Sequence, residues 1–371
     1  MIIIIKPDVP SDGPEISQLL AEVKKYPNVS AQKHVFVGET RSLVEIHLIG
    51  STIDLPIEPF SSFAFVERVV RVSERYRTIG RHRGQVPPFE FEYNGVKFGQ
   101  DTFHIFAGLC AVDTRQNVEQ TMRALKEHGI VTTRMGAYKP RTSPYDFQGH
   151  GEKCLPYVFE LAGKYGIRIV AMEVLHEAHI EQIHAALEAC GHATGVMLQV
   201  GTRNAQNFEL LKAVGAQKFP VLYKRGMGIT LEESLNACEY IAVCGNRDII
   251  FCLRGMKTNF GDPHRNFVDF AHVPVVKRLT RLTVGIDPSH AVGRRDIGSD
   301  GLTDVHQVTA QGVIAGANMV LVDIHPQPET ALCDGPQALH TSELEPFILD
   351  TMVCRRAYLE RAKMAKRALS A

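Results

Sequence analysis

The stretch FHIFAGLCAVDTRQNVEQTMRALKEHGIVTTRMGA, residues 103–137, contains two buried-strand patterns with a helix pattern between them. FHIFAGLCA and VTTRMGA are short, largely apolar runs, and RQNVEQTMRALKEHG has the spacing of an amphipathic helix. A strand, a helix and a second strand in this order are typical of a parallel sheet with helical crossovers. The stretch therefore predicts an α/β fold.

The same alternation continues towards the C-terminus and ends in a long helix predicted from Ser342 towards Leu369. Six more strand-length apolar runs follow the first two: IRIVAMEVL, TGVMLQVG, FPVLYKRG, DIIFCLRG, LTVGIDPSH and NMVLVDIHP. Eight strand–helix units in about 265 residues match a (β/α)₈ TIM barrel in number and length. An open doubly wound sheet also fits the alternation, but no GxGxxG follows the first strand, so we expect the barrel.

Residues 1–74 have a different pattern, in which β, α, β, β, α and β segments follow one another. The segments are IIIIK, the helical EISQLLAEVKKYP, the β-rich AQKHVFVG and SLVEIHLIG separated by the turn signal GETR, a short helix near PFSSFAF, and VERVVRVS. This order predicts a small ferredoxin-like βαββαβ domain before the barrel. Residues 75–102 are predicted to be a basic linker and an Asn-Gly hairpin, FEFEYNGVKFG, which leaves residues 103–371 for the barrel.

The composition excludes several classes of partner. Lys plus Arg and Asp plus Glu both total 41, and this balance argues against nucleic acid or an acidic membrane surface. No apolar run reaches the roughly 18 residues of a membrane span, and the opening MIIIIKPDVP is too short for a secretory signal. The eight cysteines contain no CxxC pair and no disulfide pattern. We therefore expect a reduced, cytoplasmic protein.

Charged residues collect at the predicted C-terminal ends of the barrel strands, where the active sites of this fold lie. Six of them are cations: Arg134, Lys139, Arg141, Arg203, Lys224 and Arg254. Arg binds phosphate and carboxylate groups bidentately and Lys binds them as a point charge, so the set suits a ligand with more than one such group. A single Arg at a strand end is usually a surface ion pair, but six cations at one barrel mouth favour a ligand site.

The other strand-end residues offer metal ligands. Cys110, His290 and Asp323, with Asp334 just beyond, supply thiolate, imidazole and carboxylate donors for one divalent metal. Each has a structural alternative, since Cys110 could be a small buried hydrophobic residue and His290 could cap the next segment. Glu173 in AMEVL is either a base or a partner that balances the cations. Spacing alone leaves these alternatives open.

Six motifs, in order, resemble the 3-deoxy-D-arabino-heptulosonate-7-phosphate (DAHP) synthases of type I, in the subclass with an N-terminal ferredoxin-like regulatory domain. The motifs are RMGAYKPRTSPYDFQGHGEK, QVGTRNAQNFELLK, PVLYKRGM, the LRG of FCLRGMKT, IDPSHAVGRR and HPQPETALCDGPQAL. The resemblance covers essentially the whole chain. It implies metal-dependent condensation of phosphoenolpyruvate with erythrose 4-phosphate to DAHP and phosphate, the first step of the shikimate pathway.

The resemblance also implies roles for individual residues. It assigns four cations to phosphoenolpyruvate: Arg134, Arg203, Lys224 and Arg254. It assigns the KPRT segment to the aldose phosphate: Lys139, Pro140, Arg141 and Thr142. It assigns four ligands to the metal: Cys110, His290, Asp323 and Asp334. Lys139 and His290 are the implied catalytic residues, with Lys139 as the proton donor to the new alkoxide.

The implied cofactor is a divalent metal, with Mn²⁺ expected and Zn²⁺, Fe²⁺ or Co²⁺ as alternatives. The resemblance further implies that the N-terminal domain senses an aromatic amino acid, although a docking domain without a ligand fits the sequence equally well. It implies a homo-oligomer, a tetramer or a dimer, which no sequence feature tests.

Several positions depart from the family motifs. GPCSVES is GLCAVDT here, RGGAFKPRT is RMGAYKPRT, and Asp323 replaces a glutamate, which shortens that side chain by about 1.5 Å. All the phosphoenolpyruvate cations are present, so one alternative is a paralogue that condenses phosphoenolpyruvate with a different aldehyde. Two others are a non-catalytic protein that binds a phosphate ligand and an aldolase that uses Lys224 as a Schiff base.

Overall fold

The computed structural model describes residues 1–37, 42–52, 55–71, 76–81 and 86–370. The chain divides into two compact units, residues 1–86 and residues 87–371. The predicted domain boundary at residue 74 and the predicted GETR turn lie outside the described residues.

The first unit has the predicted ferredoxin-like order of elements. These are β1 (Ile2–Ile5), α1 (Pro14–Val23), β2 (Val29–Val37), β3 (Ser42–Gly50), α2 (Glu58–Ser61) and β4 (Val66–Val70). The strands form one antiparallel sheet in the order β2-β3-β1-β4. Alternate residues such as Ile3 and Ile5 on β1 and Ile46 on β3 point to one face, where they pack with Leu19 of α1 and Phe60 of α2.

The predicted hairpin covers the N-terminal end of the barrel. Its strands β5 (Phe91–Tyr93) and β6 (Val96–Phe98) are joined by Asn94 and Gly95, whose φ angles of 46° and 75° suit a tight hairpin turn. The side chain of Phe98 packs among inward-facing barrel residues, including Phe106. This end is therefore filled with apolar side chains, which leaves the opposite end for polar chemistry.

The second unit is the predicted TIM barrel. Its eight parallel strands are β7 (His104–Leu109), β8 (Thr132–Met135), β9 (Ile169–Val174), β10 (Gly195–Val200), β11 (Val221–Lys224), β12 (Ile249–Leu253), β13 (Thr283–Ile286) and β14 (Met319–His325). Neighbours in sequence pair with each other, and β14 pairs with both β13 and β7. This closure excludes the open doubly wound sheet. A ninth short strand, β15 (Leu339–His340), pairs in parallel with the C-terminal end of β14 and was not predicted.

Helices connect the strands and close the chain. They are α3 (Arg115–Glu127), α4 (Leu155–Tyr165), α5 (Glu177–Ala189), α6 (Phe208–Gly215), α7 (Leu231–Val243), α8 (Val273–Leu279), α9 (Pro288–Val292), α10 (Asp304–Ile314) and α11 (Leu344–Ser370). The short α9 was not predicted, and it begins at the carboxylate of Asp287, which accepts a hydrogen bond from the His290 backbone N–H at 3.1 Å. Among the described residues, no helix combines the length and the apolar character needed to cross a bilayer.

Candidate active site

A cavity of about 360 Å³ opens at the C-terminal ends of the barrel strands. It brings together most of the residues singled out from the sequence: Lys139, Pro140, Arg141, Thr142, Glu173, Arg203, Lys224, Arg254, His290 and Asp334. Arg134, Cys110 and Asp323 lie buried beside these residues and bond to them or to one another. The fold therefore places every predicted site residue in one region.

Two of the predicted cations are buried in ion pairs. Arg134 donates to Oδ1 of Asp323 at 2.5 Å, and Lys224 donates to Oδ2 of Asp287. All four side chains are at most 5% exposed, and a charge buried to this extent is tolerated only when it has a partner. Burial by itself would lower the pKa of Arg134, but Asp323 and other nearby anions raise that pKa above its usual value. Arg134 therefore stays charged, and the two ion pairs fix both cations in place.

Arg254 differs from these two cations. It is 4% exposed and lines the cavity, yet its Nε and Nη1 atoms have no hydrogen-bond partner among the described residues. Burial lowers the pKa of this guanidinium from its usual value. A buried guanidinium with donors left over is costly without an anion, so Arg254 is suited to hold an anionic ligand. Arg203 is exposed at the rim, where it donates to Thr142 Oγ1 at 3.4 Å.

The KPRT segment lies against the predicted metal ligands. Nζ of Lys139 donates to the backbone oxygen of Cys110 at 2.9 Å and to its Sγ at 3.1 Å. Burial alone would lower the pKa of Lys139, but Cys110 and neighbouring acidic groups raise it above its usual value. Arg141 donates to Cys333 Sγ at 2.7 Å and to Asp146 Oδ2 at 3.3 Å. Pro140 and Thr142 complete the cavity wall.

Tyr138 anchors this segment to helix α5. Its hydroxyl donates to Gln182 Oε1 at 2.7 Å, and its ring stacks on His179 with a centroid distance of 3.6 Å. His179 Nδ1 accepts from the Leu175 backbone N–H at 3.2 Å, which fixes the imidazole. Burial, with His176 nearby, lowers the pKa of His179 from 6.5 to about 4. The family phenylalanine at position 138 lacks the hydroxyl that makes the bond to Gln182.

Three predicted metal donors face one another. Cys110 Sγ lies 3.0 Å from Asp334 Oδ2 and 3.6 Å from His290 Nε2, and these last two atoms are 3.6 Å apart. Ligand atoms around one tetrahedral ion lie about 3.3–3.8 Å apart when metal–ligand distances are about 2.0–2.3 Å. His290 Nδ1 bonds to Asp287 at 3.1 Å, which directs Nε2 towards the thiol. The donor set therefore fits a divalent metal.

The fourth predicted ligand, Asp323, is near these donors but engaged elsewhere. One of its oxygens lies within 4.8 Å of the donor atoms of Cys110 and His290. However, Oδ1 accepts from Arg134, and Oδ2 accepts from Gln337 Nε2 at 2.6 Å. Its contact with His290 is to Nδ1, at 3.5 Å, on the side of the ring away from the other donors. Its role as a ligand remains a prediction.

Glu173 is buried at the cavity wall, where Oε2 accepts from Gln199 Nε2 at 3.2 Å. The close fit requires glycine at position 201, because a Cβ there would lie 1.8 Å from Glu173 Oε1. The contact is compatible with both roles considered for Glu173, a base or a balancing charge.

Several site residues were missed from the sequence. They are Asp287, which binds both Lys224 and His290; Gln337, which binds Asp323; Cys333, which lies beside Cys110 and Asp334; and Lys257 and Arg265, which line the cavity. Asp287 lies inside the IDPSH motif and Cys333 directly precedes Asp334, so their positions in the motifs were the available signal. Gln337 lies in the last of the six motifs, HPQPETALCDGPQAL, whereas Lys257 and Arg265 carry no such signal.

Comparisons with known proteins agree with this architecture. Residues 78–353 match the family model described as the DAHP synthetase I family. The chain belongs to this family. A phospho-2-dehydro-3-deoxyheptonate aldolase of Thermotoga maritima is 38% identical over 341 residues, which cover 91% of this chain and 93% of the relative. A 2-dehydro-3-deoxyphosphooctonate aldolase of Actinobacillus pleuropneumoniae is 28% identical over 261 residues, which cover 66% of this chain and 86% of the relative.

The fold of this chain is also similar to the solved structures of two related proteins. The crystal structure of the Thermotoga maritima phospho-2-dehydro-3-deoxyheptonate aldolase (DAHP synthase) has a TM-score of 0.67 at 35% identity, and covers 99% of this chain and 97% of its own. A truncated 3-deoxy-D-arabino-heptulosonate 7-phosphate synthase from the same organism has a TM-score of 0.61 at 33% identity, and covers 79% of this chain and 97% of its own. The predicted family and fold are thereby confirmed.

The burial of His179 against Tyr138 predicts that the folding stability of the protein decreases at acidic pH. Unfolded chains bind a proton on this imidazole below about pH 6.5, whereas the folded protein does so only near pH 4, because burial and His176 lower the pKa. Folding stability contributed by a neutral His179 is therefore lost as the pH falls from about 6.5 to about 4. In His179→Phe, which keeps the stacked ring, urea unfolding measured over this range is expected to depend less steeply on pH.

The control for this prediction is His128→Phe, since His128 is exposed at the end of α3. This variant is expected to keep the wild-type pH dependence. An unchanged pH dependence in His179→Phe would contradict the burial of a neutral imidazole at this position.

Proposed function

We propose that this member of the DAHP synthetase I family condenses phosphoenolpyruvate with erythrose 4-phosphate to give DAHP and phosphate, the first step of the shikimate pathway. The observation that carries the proposal is one cavity in which Arg254, with two donor atoms that have no partner among the described residues, meets the KPRT segment and the donors His290 and Asp334. The free thiols of all eight cysteines, which lie in the described part of the chain, support a reducing compartment such as the cytoplasm.

Phosphoenolpyruvate binds through its phosphate and its carboxylate to the four cations. Arg254 has two buried donors available for an anion, and Arg203 stands at the cavity rim. Arg134 and Lys224 are already held by Asp323 and Asp287, so their charges are in position before the substrate arrives. Preorganised cations lower the barrier because they do not need to reorient during the reaction.

The aldose phosphate binds along the KPRT segment, with its phosphate near Arg141 and Thr142 and its aldehyde towards Lys139. C3 of the enol phosphate attacks the aldehyde carbon and forms the new C–C bond. Water adds at C2, where positive charge develops, and phosphate leaves with cleavage of its C–O bond. Nζ of Lys139 donates a proton to the new alkoxide. A divalent metal held by Cys110, His290 and Asp334 would supply Lewis-acid polarisation of the aldehyde.

A second acceptor aldehyde should be tested, because the relatives that match this chain are named for two different products. Heptonate and octonate aldolases differ by one carbon in their products, which implies acceptors that differ by one carbon. The buried Met135 and Tyr138 lie in RMGAYKPRT, just before the KPRT segment, where they depart from the family motif. They are the candidates for a changed acceptor preference.

Turnover tests the proposal and its alternatives together. Phosphate release from phosphoenolpyruvate should require a divalent metal, and kcat/KM should be at least about tenfold higher with erythrose 4-phosphate than with a five-carbon aldose phosphate, a difference of about 1.4 kcal/mol. A preference for the five-carbon sugar would establish the alternative acceptor. No turnover with either sugar, in protein shown to be folded, would favour a non-catalytic binding protein.

Arg254→Lys tests the assignment of the phosphoenolpyruvate site. Lysine keeps the positive charge but loses the planar fork, so hydrogen bonds to a charged ligand worth about 1.5–3 kcal/mol are lost. We expect kcat/KM for phosphoenolpyruvate to fall roughly 10- to 100-fold, measured at saturating aldose phosphate. Arg115→Lys, at an exposed ion pair with Glu160 on the surface, should leave it unchanged. An equal, small effect of both variants would place the substrate elsewhere.

We further propose that the N-terminal domain senses an aromatic amino acid and that the chain forms a homo-oligomer, a tetramer or a dimer. Support for the extra domain is that the truncated relative covers 79% of this chain, whereas the longer solved structure covers 99%. Inhibition by phenylalanine or tyrosine, together with the molar mass from light scattering, would test both statements. A monomer that is unaffected by either amino acid would contradict them.

A further inference from the structure

A second thiol lies within the predicted metal site, and the family motifs do not assign it. Cys333 is 7% exposed, directly precedes Asp334, and lies in the loop after β14. Its Sγ is 4.0 Å from Cys110 Sγ and 3.2 Å from Asp334 Oδ2. The side chains of Cys110, Cys333 and Asp334 therefore form a donor cluster that shares Cys110 with a second cluster, made by Cys110, His290 and Asp323.

We propose that the metal is bound in this chain by four residues, Cys110, Cys333, His290 and Asp334, and that Asp323 lies outside its coordination sphere. The inference rests on the proposed function only in that the site takes up a divalent metal. It replaces one predicted carboxylate ligand by a thiolate. The site then has two thiolates, one imidazole and one carboxylate.

The separations between the donor atoms support this set. Four ligand atoms define six pairs, and five of these separations are known. The two sulfur–carboxylate pairs are 3.0 and 3.2 Å apart, and the two sulfurs are 4.0 Å apart. His290 Nε2 is 3.6 Å from both Cys110 Sγ and Asp334 Oδ2. A tetrahedral ion with metal–sulfur distances of about 2.3 Å and metal–nitrogen or metal–oxygen distances of about 2.0–2.2 Å requires separations of about 3.3–3.8 Å. All five separations lie within a few tenths of an ångström of this range.

The bonds of Asp323 explain why it would not be the fourth ligand. Both of its oxygens are occupied, by Arg134 and by Gln337. If Asp323 turned towards a metal, it would weaken the pairing of a guanidinium that is 3% exposed, which is costly. Asp323 instead positions Arg134 for the substrate.

Two cations accompany the two sulfurs. Lys139 Nζ lies 3.1 Å from Cys110 Sγ, and Arg141 Nη1 lies 2.7 Å from Cys333 Sγ. Two thiolates and one carboxylate around a divalent ion leave one net negative charge, which these two cations more than offset. Thiolate ligands also favour Zn²⁺ and Co²⁺ over Mn²⁺, because they are softer than carboxylates. The metal preference of this chain is therefore expected to lie with the thiophilic ions.

Cobalt binding tests the ligand set without measuring turnover. Metal-free protein is titrated with Co²⁺, and the thiolate-to-cobalt charge-transfer band in the near ultraviolet is recorded, since its intensity follows the number of coordinated thiolates. Wild type should show the intensity of two thiolates, and Cys333→Ser should show half of it. Asp323→Asn should retain the full band. Cys238→Ser, which changes a buried thiol on α7, is the matched control and should also retain it.

X-ray absorption at the zinc edge of the wild-type protein provides a second measurement that does not depend on the folding of a variant. Two sulfur scatterers at about 2.3 Å and two nitrogen or oxygen scatterers at about 2.0–2.2 Å are expected. One sulfur with three lighter atoms would overturn this ligand set and leave the proposed function standing. The same conclusion would follow from an unchanged cobalt band in Cys333→Ser together with loss of metal binding in Asp323→Asn. Failure of the wild type to bind any divalent metal would overturn both.

Discussion

The buried carboxylate of Asp287 connects the two halves of this active site. It caps α9 through the His290 backbone N–H, bonds to the imidazole Nδ1 of the same residue, and forms an ion pair with Lys224. Asp287 is fully buried, so each of these bonds is made at low dielectric and with little competition from water. One side chain thus fixes the orientation of His290 and the position of Lys224, the residues proposed to serve the metal and phosphoenolpyruvate.

Charge balance explains how the barrel mouth can hold so many cations without a ligand. Arg134 and Lys224 have carboxylate partners supplied by the protein, Asp323 and Asp287, whereas two donor atoms of Arg254 have none among the described residues. The paired cations are held in place by the fold, and the remaining guanidinium provides the attraction for an anion. On this view the phosphoenolpyruvate site is built by the protein alone, and the metal serves the aldehyde side.

The sequence was most informative where a pattern repeats over many residues. Eight apolar runs alternating with helical patterns predicted the barrel, because strand and helix periodicities depend on neighbours along the chain. Strand β15 and helix α9 were missed because two and five residues are too few to show a period. The barrel topology then placed the strand-end residues together, since the C-terminal ends of all eight strands meet at one face.

Side-chain partnerships were less predictable. The hydrogen bond from Gln337 to Asp323 joins residues 14 positions apart, and the ion pair of Lys224 with Asp287 joins residues 63 positions apart. No local sequence pattern predicts such pairs. An isolated thiol is usually a small buried hydrophobic residue, so the sequence alone does not single out Cys333. Its nearness to Cys110, 223 positions away, is a consequence of the fold.

The most direct test of a phosphoenolpyruvate site built by the protein alone is calorimetric titration of metal-free protein with phosphoenolpyruvate in the presence of a chelator. If Asp287 and Asp323 position the cations, one molecule should bind to each chain, with an affinity that decreases as the salt concentration rises. Binding that appears only after a divalent metal is restored would contradict this view and would make the metal part of the phosphoenolpyruvate site.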